Sequence, residues 1–340
     1  MQMKLIRIAI FIASLFFSVQ FSNAQSATEL QERARSFMQQ NDFNNASLLL
    51  KRASIADPNN IEITKDLALS FYFQKQYDKG LEVIKLILDK EESDDQCYQI
   101  AVNFYKQLEQ TKECEKLFRK GIKKFPKSGA IYNELGDLQW SQKNNEAIRQ
   151  WEKGIENDPN YSKNYYNACK YYQLTADNVW SIFYGEVFVN MEPLSTHSPE
   201  IKSIILESYK KIFTEEIVKK ENAEPNKFST AFLETINKQN LTATTEFNAE
   251  TLTMIRTRFV LDWSNDYAGK YPIRLFDYQR QLIQDGIFEA YNQWLFGIVQ
   301  NLTAYQSWVL EHSAEYKEFT HFQSGRIFKV PMGQYYRSAN

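Results

Sequence analysis

The chain has 340 residues, 43% hydrophobic, 24% charged and 15% aromatic, with 24 Phe, 20 Tyr and 6 Trp. That composition fits a globular chain of about two domains and excludes long disorder, and a formal charge of -2 gives no electrostatic argument for nucleic acid as a partner. So many rings imply either aromatic seams between helices or an exposed aromatic binding face.

Residues 1–24 combine a basic start (Lys4, Arg7), an apolar run over 8–19 and the small, polar end Ser22-Asn23-Ala24, the three-part pattern of a secretory signal peptide. Twelve residues rise only about 18 Å as a helix, against a hydrocarbon core of about 30 Å, so cleavage near Ala24 is expected rather than retention as an anchor. Cleavage removes two bases and no acid, leaving 38 basic against 42 acidic residues and a charge of -4. No later stretch holds the roughly 18 uninterrupted apolar residues of a spanning helix. The first cysteine is Cys97, far from the point where a lipid anchor would attach. These features predict an exported chain, periplasmic or at the outer-membrane periphery, with no transmembrane segment after cleavage and with room for peripheral envelope association.

From residue 25 the sequence repeats. Prolines at 58, 126, 159 and 193 each close a helix-like run, and their separations of 68, 33 and 34, with a polar break at Glu92, give a period of 34. Small residues recur inside the unit. Ala34, Ala68, Val102, Gly136 and Cys169 mark one site on a first helix, and Ala46, Gly80, Cys114, Ala147 and Ser181 mark one on a second. A ring follows the first site by three residues in Phe37, Phe71, Tyr105 and Tyr172, with Gln139 the exception. Leu50, Ile84, Phe118 and Trp151 follow the second by four, as one helical face requires, and Gly185 breaks that row.

These sites, with Asp57-Pro58-Asn59-Asn60 and Asp158-Pro159-Asn160 as closing turns, resemble the tetratricopeptide repeat (TPR) from residue 27 to about 195. Units begin near Ala27, Ile61, Asp95, Gly129 and Ser162, the fourth one residue short around 143–145. The resemblance implies an all-α fold: a TPR-like right-handed α-solenoid of about five helix pairs over 25–195, followed by a helical carboxy-terminal region. A single pair cannot bury its apolar face alone, so neighbours stack, and first helices line an inner wall that such proteins offer to partners.

On that wall stand Arg35, Leu69, Asn103, Asp137 and Lys170 and, four residues earlier in each unit, Gln31, Lys65, Gln99, Asn133 and Tyr166. The Lys and Asn clamp by which chaperone-binding members of the family hold a terminal carboxylate is not reproduced. The candidate partner-binding residues are the rings Tyr72, Phe73, Trp140 and Tyr166, with Lys65, Arg35 and Lys170 as charged neighbours. Burial of each ring between units is the competing reading.

After Pro193 the 34-residue register is lost while helical periodicity continues through 196–322. Ser198-Pro199-Glu200 reads as a cap, a first-turn proline and a dipole-matched acid, opening a helix to about residue 220. Further helices are expected near 227–239, 248–263, 273–299 and 303–321, then an irregular tail over 323–340. Residues 275–296 are ring-dense, with Phe288, Tyr291 and Leu295 on one side. They resemble a stretch of uncharacterised exported repeat proteins of Bacteroidetes, and they read as a core helix or as a ligand-facing wall.

Motifs for chemistry are missing. Three histidines (His197, His312, His321) lack zinc spacing, and no nucleophile elbow, phosphate loop or dinucleotide fingerprint occurs. No catalytic residue, cofactor or metal is therefore assigned. The cysteines read as small seam fillers: Cys97 and Cys114 in an antiparallel pair would lie about 12 Å apart, beyond the Cα limit of about 7 Å for a disulfide. The expected function is a non-catalytic envelope scaffold or adaptor binding a protein or peptide along the inner wall. Glycan binding through exposed rings is the alternative, and an enzyme with its site in the carboxy-terminal helices is the third reading.

Overall fold

The computed structural model describes residues 26–214, 226–238 and 247–337. The signal-peptide pattern, the 215–220 end of the helix expected from Ser198 and the last three residues lie outside these. Among the described residues every regular element is helical.

Five helix pairs occupy the repeat positions: α1 (Ala27–Gln39) with α2 (Phe43–Ala56), α3 (Ile61–Phe73) with α4 (Tyr77–Leu88), α5 (Asp95–Gln107) with α6 (Thr111–Lys124), α7 (Gly129–Ser141) with α8 (Ala147–Asn157), and α9 (Ser162–Leu174) with α10 (Asn178–Met191). The starts are set by side-chain caps. Ser26, Asn60, Asp94 and Ser128 each accept the backbone N–H three residues on, which satisfies an otherwise orphaned donor at the first helix of four pairs. The turn inside each pair carries one left-handed residue: Asn41, Lys75, Glu109, Lys143 and Ala176, all with φ between 56° and 60°. Their spacing of 34, 34, 34 and 33 repeats the sequence period, and the missing residue falls after Lys143, where the sequence is short.

The chain divides into two compact units, Met1–Leu117 and Phe118–Asn340. In the first, Ala34, Ala46, Leu50, Ala53 and Phe71 form a buried seam. Gly80 is required there because a Cβ on it would lie 2.2 Å from Cζ of the buried Phe104 ring. Neighbouring repeats are also tied by polar bonds, Gln31 and Arg35 to Asp66 and Lys65 to Asp94.

In the second unit Trp151 lies against Gly136, whose Cβ would stand 2.4 Å from the indole Nε1. Gly136→Ala should therefore push the indole off Asp137, which it now contacts at 3.1 Å, and cost about 1–3 kcal/mol by overpacking. Urea unfolding measures this; an unchanged midpoint would place the seam elsewhere.

The repeat arrangement runs one helix further than the sequence register suggests. The helix α11 (Ser198–Thr214) docks on α10 where a sixth first helix would lie. A Cβ at Gly185 would be 2.9 Å from both Cys169 Sγ and Ile205 Cγ1, so the glycine that breaks the apolar row is what lets α11 approach. Ser208 bonds Ser181 across the same seam at 3.2 Å. Register was hidden because α11 begins 36 residues after α9 instead of 34.

Beyond it lie α12 (Lys227–Asn237), α13 (Ala249–Asp266), α14 (Arg274–Gln284), α15 (Phe288–Asn292), a π-helical turn (Gln293–Gly297), α16 (Ile298–Gln300), α17 (Leu302–Glu311) and α18 (Ser313–Ser324). The single helix expected over 273–299 is broken, because Gly286 takes φ +73° and releases the chain between α14 and α15. The one expected over 303–321 breaks at His312, whose N–H bonds the Trp308 carbonyl. The ring-dense stretch is core: Phe288, Tyr291, Trp294, Leu295 and Phe296 are all buried in one cluster with α9, α10 and α11. The tail beyond α18 is irregular, and it buries Phe328 and Val330 in that same cluster.

Candidate partner-binding surface

The first-helix positions singled out above fall into two groups. Arg35, Lys65, Tyr166 and Lys170 are bonded into the fold. Arg35 Nε and Gln31 Nε2 both donate to Asp66 Oδ2 at 2.7 Å. Tyr166 OH and Lys170 Nζ reach the two carboxylate oxygens of Glu200 at 3.0 and 2.8 Å, and Lys170 also donates to Tyr166 OH at 3.1 Å. The two constellations are equivalent: paired side chains four residues apart on one first helix grip one acid on the next, and Glu200 on α11 takes the place that Asp66 has on α3. Tyr166 is further covered by His197 and Phe188, with ring centroids at 4.8 and 5.3 Å.

Lys65 is only 4% exposed, and its ammonium donates to Asp94 at 2.8 Å and to Gln96 at 3.0 Å and meets Glu62 at 2.5 Å. Burial alone would lower its pKa. The carboxylates of Asp94 and Glu62 more than offset that, so the net shift is upward and the charge is held.

Phe73 and Trp140 are open. Phe73, at the end of α3, is 53% exposed and stacks on Phe43 at the start of α2, with centroids 4.7 Å apart and planes 16° from parallel. The Gln74 amide donates to the Phe43 carbonyl at 2.8 Å and fixes the pair's spacing. Tyr72 meets Phe73 edge-on at 5.8 Å and the buried Phe104 at 5.6 Å, so it links the exposed stack to the core of the first unit. In the second unit Trp140 is 39% exposed and held edge-on by Tyr171 at 5.6 Å. Sequence reasoning missed Phe43. Its signal was Asp42, which caps α2 and makes Phe43 its first residue, facing the end of the neighbouring first helix.

Neighbouring rings already fix the Phe73 and Trp140 side chains, so little conformational entropy would remain to be lost if either were covered. Burial, reinforced at Cys97 by its bond to Asp94, pushes the Cys97 and Cys169 thiols up to about 12, which keeps both protonated near neutral pH. Among the described residues no group of three or more His, Cys, Asp or Glu could hold a metal ion, and no helix is long and apolar enough to cross a membrane.

No protein-family model and no curated protein matches the chain. Among solved structures it is similar to that of MamA, at 18% identity and a TM-score of 0.38, over 52% of this chain and 95% of that one. It is also similar to TTC0263, a thermophilic TPR protein in Thermus thermophilus, at 10% identity and a TM-score of 0.41, over 54% and 100% of the two chains. A third is YrrB, described as a TPR protein with an unusual peptide-binding site, at 13% and 0.38 over 57% and 97%. At those scores the likenesses carry no argument, and the all-α repeat architecture rests on the helix pairs of this chain itself.

Proposed function

We propose that the chain is a non-catalytic protein-interaction scaffold that takes an apolar peptide or protein segment on its first-helix faces, and that it works after export, in the periplasm or at the outer-membrane periphery. The observation that carries the reading is the preset Phe43–Phe73 stack: a half-exposed ring at the end of α3, a helix whose Asp66 and Lys65 are already paired with Arg35 and Asp94. A solvated apolar face beside satisfied ion pairs favours an apolar side chain over a charged one. The export part rests on the amino-terminal pattern alone.

The test is a peptide library selected on the mature protein, followed by affinity and melting measurements on single variants. Phe73→Ala is expected to lose about 2 kcal/mol or more of binding with little change in melting. Tyr166→Ala, which breaks the Glu200 tie, should do the reverse. Unchanged affinity for Phe73→Ala would remove the first-helix face as the site. Selection of no peptide, with retention on polysaccharide that Trp140→Ala abolishes, would favour the glycan reading, for which Trp140 beside Tyr171 is the suitable platform.

A further inference from the structure

After Gly325 the chain no longer follows helical geometry, yet it is held along most of its course. Among the described residues, 327–337 make no backbone-to-backbone hydrogen bond. Side-chain amides read the main chain instead. Asn160 donates to the Val330 carbonyl at 3.1 Å and accepts from the Val330 N–H at 3.0 Å. Asn226 donates to the carbonyls of Tyr336 and Arg337, both at 2.9 Å. A bidentate amide is how a protein recognises an extended segment whose side chains point elsewhere.

Those side chains have pockets of their own. Tyr336 stacks on Phe228 at 5.6 Å with planes 14° apart, and its hydroxyl donates to the Pro272 carbonyl at 2.8 Å. Arg337 donates to Tyr172 OH at 2.9 Å, approaches Glu152 at 3.4 Å and Asp177 at 3.9 Å, and lies over the Tyr172 and Trp180 rings. Asn160 precedes α9 and Asp177 follows it, so the eight residues from Val330 to Arg337, which turn at 332–333 with Gly333 at φ +85°, pass from one end of that helix to the other. Residues 331–333 are exposed, and Ile327, at the point of departure, is 81% exposed.

We propose that this groove along α9 and α12 is a peptide-binding site which the protein's own carboxy-terminal segment fills as a resident ligand, and that the occupant it accepts in exchange is the same segment of a second copy. The groove is already complementary to Val330 and, further on, to Tyr336-Arg337, and the short, exposed connection over 325–327 favours exchange between copies over a large rearrangement within one. This reading is independent of the first-helix face.

The test uses the full chain with a protease recognition sequence inserted between Gly325 and Arg326, cleaved after folding. A labelled peptide of residues 326–337 is then offered to nicked and intact protein. The nicked protein should stay folded and take up the peptide, with at least tenfold lower uptake by the intact chain. A competing peptide carrying Arg337→Ala should be about tenfold weaker, as expected for loss of a charged hydrogen bond. In the intact chain, two differently tagged copies mixed at high concentration should co-purify, and Asn160→Ala should change that fraction. Unfolding on nicking, or a nicked tail that never exchanges, would make the segment ordinary core and overturn the proposal. Exchange of the peptide without co-purification of tagged copies would overturn the second copy as its occupant.

Discussion

Arg256→Met is expected to remove about 3–5 kcal/mol of folding stability, the cost of leaving a buried carboxylate without its partner. Arg256 is 1% exposed on α13, and its guanidinium donates to Glu186 on α10 and Asn292 on α15 among the rings of Phe288, Tyr291 and Phe296. Glu186 Oε1 also accepts from Gln279 Nε2 on α14 and from Tyr291 OH, each at 2.7 Å. Asn190 donates to that same Tyr291 hydroxyl at 2.8 Å. One carboxylate therefore joins the second helix of repeat five to α13, α14 and α15, and the join is specific because each donor has one geometry that reaches it. Removing the arginine alone leaves the Glu186 charge buried with only the neutral donors Gln279 and Tyr291. Removing both ends as Arg256→Met with Glu186→Leu should restore at least half of the loss, since a well-packed apolar pair avoids the desolvation cost. Urea unfolding at pH 7 separates these outcomes. A single-variant loss below about 1 kcal/mol would mean that the pair contributes little and that packing alone joins the helices.

What the sequence could and could not disclose follows from the range of each interaction. Caps, turns and the small sites at Ala46, Gly80 and Gly136 are local or periodic, so a 34-residue search finds them. The Gly185 exception looked like decay of the repeat and is instead a contact with α11, visible only once the helix it admits is in place. Lys65 and Arg35 look from their positions like ligands for a partner. That each has an acid about 30 residues downstream, Asp94 and Asp66, gains meaning only when neighbouring first helices are known to touch there. Arg256 carries no signal at all, being one of two arginines, two residues apart, on a helix with polar residues on most sides. The tail looked irregular and is so, but nothing local says that Asn160, 170 residues earlier, binds Val330.

Lys202 is expected to add a pH-dependent contribution to stability that a single substitution isolates. It is 4% exposed on α11, its ammonium donates to the Trp294 carbonyl in the π-helical turn at 2.8 Å, and it lies 3.5 Å from the centre of the Trp294 ring. Burial pushes its pKa down to about 7, from about 10.5 in the unfolded chain. Between those values the unfolded chain holds a proton on this lysine that the folded chain has released, so the Lys202 contribution to stability rises as pH increases from about 7 to about 10.5, while the thiols of Cys97 and Cys169, held protonated by burial, pull the other way above about pH 9. Below about 7 both states are protonated, and the cost of burying the charge, on the order of 3–5 kcal/mol, is fully present. Lys202→Met removes that cost and also takes one donor from the Trp294 carbonyl, a loss of about 1–3 kcal/mol. The variant should therefore be more stable than the parent at pH 6 by about 1–3 kcal/mol, and it should lose that advantage as pH approaches 10. Other groups titrate alike in both proteins and cancel in the difference. Parallel stability curves from pH 7 to 10 would mean instead that the Trp294 ring and carbonyl satisfy the ammonium well enough for it to stay charged in the folded protein.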